Sequence, residues 1–326
     1  MTEFTASTFV KMWKRGLVSS SKTADDFLGT WATTGFLESL RTFKRSESPL
    51  FSGRKLSPDE KGALLSQIED DLKQELTQSG PHRQQIWEKG WSENLEQLRK
   101  SGPGSPLIPG YFERSRYLRL ADDFLEVDSP QAEPTSLGFL VDIVLEGLSL
   151  KVPYANIHEF GCGTGIHVSR LAKLFPEKTV TGYDWASSSV QILRHLKEQG
   201  LSNVGGHLFD FFGPDYDVKI GDKDLILTVA ALEQVGADFS PFMEFLEKKS
   251  SGLIVNIEPI EELLDLQDSM GALSAEYFRR RNYLAGFYSQ LLELELEGRL
   301  EVLHSGRSGL GSLYIEGYSI VIWRFV

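Results

Sequence analysis

A doubly wound α/β fold is predicted for the second half of this 326-residue chain, on three observations. Short apolar stretches alternate with amphipathic ones from residue 156 onward. A glycine turn, Gly161-Cys162-Gly163-Thr164-Gly165, joins the first such stretch to the first amphipathic one. Two strand-like segments then close the chain with no helical pattern between them. Strand–helix alternation builds a mostly parallel sheet with helices on both faces, and an uninterrupted final pair adds an antiparallel hairpin.

Taken in order, residues 1–58 are rich in Ser, Thr, Lys and Gly and carry the aromatics Phe4, Phe9, Trp13, Phe27, Trp31, Phe36 and Phe43. So many aromatics do not suit a solvated tail, and the segment reads as a lid over the main body or as a packed extension. Ser57-Pro58-Asp59-Glu60 has the form of a helix start, and Leu64, Leu65, Ile68, Leu72 and Leu76 continue it at helical spacing. A second helix is expected over 82–100, with Ile86, Trp87, Leu95 and Leu98 apolar, before the breaker segment 101–106. Arg114, Arg116 and Arg119 with Tyr111 and Tyr117 form a basic aromatic cluster that either faces an anionic or sugar-like substrate or is a solvated helix face. A helix over 135–148 presents Leu137, Leu140, Val141, Val144, Leu145 and Leu148 to the sheet. Strands are expected near 156–160, 179–183, 203–209, 223–229 and 252–257, with helices over 165–175, 187–199, 239–249 and 273–292. Pro176 and Gly200 stop the first two of these helices. Residues 300–304 and 314–323 supply the final pair. This divides the chain into a largely helical N-terminal extension and cap, 1–134, and an α/β domain, 135–326.

Charge bounds the partners. With 34 basic against 46 acidic side chains the formal charge is -12, so a phosphate backbone or an anionic membrane surface is disfavoured as a general partner. Cys162 is the single cysteine, which rules out an intrachain disulfide and a cysteine metal cluster, and a reducing cytoplasm suits the chain. No metal is called for. No apolar run approaches the roughly 18–20 residues of a membrane span, and residues 1–10 lack the pattern of a secretion signal.

The glycine turn carries the chemistry. Three glycines at spacing two let backbone approach a ligand closely, and the helix that follows offers free N–H groups. A dinucleotide site requires Gly-x-Gly-x-x-Gly, whereas Ile166 follows Gly165 and the third glycine comes one place early. About 20 residues further on, Asp184 ends the second strand and could accept hydrogen bonds from a ribose diol.

Glu159-Phe160-Gly161-Cys162-Gly163-Thr164-Gly165 resembles the first motif of class I S-adenosylmethionine-dependent methyltransferases. The resemblance covers roughly 155–326 and implies a Rossmann-like sheet of seven strands ending in a reversed hairpin. It implies that the glycine loop, with Cys162, lies against the methionine part of the cofactor, that Asp184 holds the ribose, and that Trp185 lies beside the adenine. Asp210-Phe211-Phe212 resembles the acid-aromatic element that meets the adenine amino group and ring. The 225–229 stretch with Ala230-Ala231-Leu232-Glu233-Gln234 resembles the segment that closes over the methionine, at Val229, and faces the acceptor. Glu159 either touches the cofactor or caps the loop, and Cys162 is most simply a small packed side chain.

The reaction so implied is attack by an acceptor on a methyl group, and an oxygen acceptor needs its proton removed. Glu233 and Glu258 end the fourth and fifth strands, at the edge where open sheets present ligand-binding groups, and are the carboxylates best placed for that work. His167, in the first turn after the glycine loop, is a third candidate; His158 and His207 read as core residues, and His304 has a lesser claim on the acceptor pocket. The run Arg279-Arg280-Arg281 could bind an acceptor carboxylate or phosphate, although on a helix the three point in different directions. Tyr283, Tyr288, Trp31, Trp87 and Trp91 either line an aromatic pocket or pack. The reading is therefore a cytoplasmic enzyme that transfers a methyl group from S-adenosylmethionine to a small molecule, with an oxygen nucleophile preferred and a homodimer left open. The alternatives are a protein or RNA methyltransferase, a nicotinamide oxidoreductase, and a non-catalytic scaffold on the same fold.

Overall fold

The computed structural model describes residues 2–5, 49–102, 107–121, 123–249 and 252–326. The expectations for residues 6–48, Trp31 among them, and for the breaker at 103–106 lie outside these. The larger sheet has seven strands in the order β10-β12-β9-β8-β5-β6-β7. Its parallel part is β5 (Ile157–Phe160), β6 (Val180–Asp184), β7 (Val204–Leu208), β8 (Leu225–Val229) and β9 (Ile254–Glu258). β12 (Ser319–Phe325) runs antiparallel to β9, and β10 (Leu300–Arg307) antiparallel to β12. Because β5 pairs with β6 on one side and β8 on the other, the chain changes direction there, and a crevice opens beyond the carboxyl ends of these strands.

The N-terminal region adds to its helices a second sheet that the sequence reading does not anticipate. β1 (Thr2–Thr5), β2 (Pro49–Lys55), β3 (Tyr117–Leu120) and β4 (Asp123–Val127) are joined by β11 (Leu310–Gly311) in the order β1-β2-β4-β3-β11. β11 comes from between the two strands of the terminal hairpin, so the N-terminal sheet is completed by C-terminal residues. That excursion also explains why 314–318 does not extend β12. Arg119 of the basic aromatic cluster points into this junction, 2% exposed, and pairs with Asp268 and Glu316 at 3.4 and 3.7 Å.

Helices α1 (Pro58–Leu72) and α2 (Gln84–Ser101) begin and run much as their periodicity requires, and the Ser57–Glu60 capping box forms at the start of α1. Helix α3 (Ala132–Lys151) is apolar nearly all round and packs against α4 (Ile166–Leu174) as well as β2 and β11. A helix without a polar face has to be covered on all sides, and α4 and the N-terminal sheet supply part of that cover. α5 (Ser187–Glu198) and α6 (Ser240–Lys249) complete the layers. Among the described residues no helix is long and apolar enough to cross a membrane.

Two local expectations are corrected. The single helix over 273–292 is two, α7 (Ser269–Arg281) and α8 (Phe287–Leu296), because Asn282 and Gly286 take left-handed backbone conformations with φ of 53° and 79°. His207 is exposed rather than core, since β7 is the sheet's edge strand and one of its faces meets solvent. His158, by contrast, is buried between Tyr183 Oη at 3.0 Å and Asp224 Oδ2 at 2.9 Å, a tie between neighbouring strands far from any ligand-facing role.

Candidate active site

The glycine loop leaves β5 and is held to the end of β6. The N–H groups of Gly161 and Cys162 donate to the Tyr183 carbonyl at 2.8 and 3.0 Å, and that of Gly163 donates to Asp184 Oδ2 at 2.8 Å. Gly161 and Gly165 have φ of +76° and +72°, where a side chain is strained. A Cβ on Gly161 would lie 2.4 Å from Ala231 Cβ, and one on Gly165 would lie 2.6 Å from Leu193 Cδ2. The loop is thus a cradle that side chains would fill, and its glycines are required by both conformation and space.

Cavity-facing carboxyls flank the loop. Asp184 is buried and spends Oδ1 on the Ala186 N–H at 2.9 Å as well as Oδ2 on Gly163. Burial, against those hydrogen bonds, pushes its pKa up to about 6. Glu159 is 1% exposed and its Oε2 has no hydrogen-bond partner. Burial and the neighbouring Asp184 raise its pKa well above the carboxylate range. A buried carboxyl oxygen without a partner, beside an open cavity, is a place where a ligand donor or cation would be stabilised.

One cavity of about 1190 Å³ runs from this loop to the end of β8. Glu159, Gly161, Cys162, Gly163, His167, Asp184, Trp185, Phe211, Val229 and Glu233 all line it. Gly165 sits just behind as the N-terminal cap of α4. Asp210 is not on the wall: its Oδ1 accepts the Phe212 N–H at 2.9 Å, a turn that presents Phe211 and Phe212 to the cavity instead. Phe212 stacks on Trp185, with ring centroids 6.1 Å apart.

Glu258 is likewise not on the wall. Fully buried, it accepts the N–H of Ala231 at 3.0 Å and that of Leu232 at 3.2 Å, and so pins the short 3₁₀ turn Leu232–Val235 to the sheet. Burial raises its pKa to about 7. Glu258→Ala strands three buried amides, those of Ala231, Leu232 and Glu233, and is expected to destabilise the fold by about 3 kcal/mol, measured by urea unfolding. Glu233, in the turn so held, is buried; its Oε1 accepts from the Gln234 side chain at 2.9 Å, and Oε2 has no partner. Burial, with Glu258 nearby, lifts its pKa to about 8. His167 is buried in the first turn of α4, and burial lowers its pKa to about 3, so its imidazole is neutral and a weak base. His304 is buried on β10 and does not line the cavity.

Helix α2 closes the cavity from above. Trp91 lies over the glycine loop, 3.1 Å from where a Gly163 Cβ would stand, and stacks on Trp87 with centroids 5.2 Å apart. The Glu88 carboxylate accepts the Ser187 and Ser188 N–H groups at 2.6 and 3.0 Å, so it caps α5 from another helix. Glu88→Ala is expected to cost about 1 kcal/mol of stability, read by urea unfolding, and to loosen α2 over the loop. Glu88, Arg83, Glu133 and Tyr318 escaped sequence reasoning. Each reaches its position through docking of distant segments, and no local pattern marks it.

Seven strands ending in a reversed hairpin, with the Gly-x-Gly-x-Gly turn after the first parallel strand, make the Rossmann-like sheet that the resemblance to class I S-adenosylmethionine-dependent methyltransferases implies. No family model matches the chain. Among curated proteins it is similar to the trans-aconitate 2-methyltransferase of Deinococcus radiodurans, with 36% identity over 89 residues. The match takes in 27% of this chain and 31% of that enzyme, so it spans about a third of the relative's length. Among solved structures, the [4+2]-cyclase SpnF is similar at TM-score 0.46 and 14% identity, over 76% of this chain and 97% of that one. The magnesium protoporphyrin IX methyltransferase ChlM from Synechocystis PCC 6803 is similar at TM-score 0.44 and 14% identity, over 60% and 86%.

Proposed function

We propose that this chain is a methyltransferase that uses S-adenosylmethionine and acts on a small molecule, through an oxygen nucleophile. The observation that carries this reading is the single cavity that joins the glycine cradle to Glu233 beneath α2. Its volume of about 1190 Å³ exceeds the roughly 300–1,000 Å³ of a pocket for one ligand, leaving room for a donor and an acceptor together. The cover by Trp91 and Trp87 favours a small acceptor over a protein or RNA, which would call for an open groove.

The residues present fit the donor. Gly161, Cys162 and Gly163 would lie against its methionine part, with the orphaned Glu159 Oε2 available to a donor or positive charge. Asp184 would hold the ribose through its remaining lone pairs, Trp185 and Phe211 would flank the adenine, Asp210 would brace the turn that presents Phe211, and Val229 would close the wall. When bound, S-adenosylmethionine supplies a methyl group on a positively charged sulfur, already a good leaving group. What the chain adds is alignment of the acceptor oxygen and exclusion of water by α2. Glu233, once ionised, takes the acceptor proton at Oε2, and Glu258 acts as a positioning residue that fixes the turn carrying it.

Isothermal titration of the purified protein with S-adenosylmethionine and with nicotinamide dinucleotides tests the donor: micromolar binding of the former alone is expected, and binding only of a dinucleotide overturns the reading. A screen of small-molecule extracts with isotope-labelled donor then identifies the acceptor by its labelled product.

A further inference from the structure

Four arginines line the same cavity without an ion pair among the described residues; Arg114 and Arg116 are exposed, whereas Arg83 and Arg281 are partly buried. Arg83, at the start of α2, and Arg281, at the end of α7, both line it. Among the described residues neither takes part in an ion pair, whereas seven of the twelve other described arginines do. Arg83 leaves Nε and Nη1 buried and without a hydrogen-bond partner, and Arg281 leaves Nε so. A bond from Arg281 Nη1 to the Thr77 carbonyl, with a side-chain hydrogen bond to Tyr283, fixes the guanidinium in place without an ion pair.

The surroundings supply only part of the missing charge. Glu133 and Glu233 line the cavity, and burial lifts them to about 7 and about 8, so near neutral pH the first is about half protonated and the second mostly so. Glu133 is also occupied by Ser115 Oγ at 3.0 Å and Tyr318 Oη at 3.2 Å. Burial, and then the adjacent Arg281, lower the pKa of Arg83. That of Arg281 is raised, its burial being outweighed by Tyr283, Tyr277 and Glu233. Buried guanidinium N–H groups without acceptors are costly, and the cost is relieved by a planar oxyanion that both forks can reach.

The walls around the two guanidiniums are aromatic. Arg83 lies over the Trp87 ring at 5.1 Å, and Arg281 over Tyr283 at 5.3 Å and Tyr277 at 5.9 Å. Trp87, Trp91 and Tyr111 form a continuous face, with Trp87 and Tyr111 edge to face at 6.1 Å. The break between α7 and α8 makes this possible: Asn282 turns the chain, donates to the Ser79 carbonyl at 3.1 Å, and brings Arg281 and Tyr283 together beside the 74–79 segment.

We infer that the acceptor is an aromatic carboxylic acid whose carboxylate is clamped by Arg83 and Arg281 while its ring lies among Trp87, Trp91 and Tyr283. This rests on the methyltransferase reading for the word acceptor; the anion site itself stands on the two arginines.

The test uses the full chain saturated with S-adenosylhomocysteine, titrated calorimetrically with benzoate and with its uncharged analogue benzamide. Benzoate is expected to bind at least about tenfold more tightly. Arg83→Met/Arg281→Met is expected to erase that preference while leaving S-adenosylhomocysteine affinity unchanged, and Arg281→Lys is expected to keep part of it. Equal binding of the two probes, no benzoate binding to a protein that binds S-adenosylhomocysteine, or full benzoate preference in the double variant would each overturn the inference. Failure to bind S-adenosylhomocysteine would instead overturn the donor assignment, and the benzoate comparison is then made on the free protein.

Discussion

Gly161→Ala is expected to leave a folded protein whose affinity for S-adenosylmethionine has fallen by at least about 100-fold, or about 2.7 kcal/mol. Two effects add. A side chain at φ of +76° carries strain of about 1–2 kcal/mol, and the new methyl would stand 2.4 Å from Ala231 Cβ. Relief requires the glycine loop or the Ala230-Ala231 turn to move, and Glu258 holds the second while Tyr183 and Asp184 hold the first. The double variant Gly161→Ala/Ala231→Gly removes the contact and keeps the strained φ, so it should recover part of the affinity. Calorimetric titration of both variants measures the split; an unchanged affinity in Gly161→Ala would mean that the cofactor does not lie against this loop.

That prediction draws on features which are local in sequence, and local features are what the chain displays most openly. The strand end, the glycine spacing and Asp184 sit within a single strand–turn–helix–strand unit, so residue type and spacing largely determine where they come to lie. Glu258 is different. It ends the predicted strand as expected, but whether its carboxylate faces the cavity or the turn after β8 depends on the register between β8 and β9, in which Val229 stands opposite Ile257. One residue of register decides between a wall group and a buried cap. His207 misled for a related reason: a strand's place in the sheet order, interior or edge, is set by topology and leaves no mark on five residues. Arg83 and Glu88 were the least legible, because they depend on how α2 docks across distant residues, about a hundred positions away for Glu88, whereas Arg281 stands in the basic run that the sequence offers for an acceptor carboxylate. The second sheet was hidden too, since β3, β4 and β11 are short and one of them is borrowed from the far end of the chain.

Replacing Glu233 with Gln should depress turnover by about 10²–10⁴-fold with little change in the dissociation constant for S-adenosylmethionine, if its carboxylate takes the acceptor proton. The pH profile follows from the same burial. With a folded-state pKa of about 8, only the ionised fraction is active, so turnover should fall about tenfold per pH unit below that value and level off above it. Stability should run the other way. Glu233 is held protonated in the folded protein while the unfolded chain ionises near the ordinary value of 4.5, so between these limits the native state binds the extra proton and stability declines as pH rises. The contribution is on the order of 1.4 kcal/mol per pH unit. Glu233→Gln should therefore unfold at higher urea than the parent at pH 8, by a margin that closes toward pH 4.5. A base buried in its inactive form is a group the fold disfavours and catalysis requires, and the opposed signs of the two profiles separate that role from a merely structural carboxyl. Were Glu233 only structural, the variant would change the unfolding midpoint and leave the pH dependence of turnover where it was.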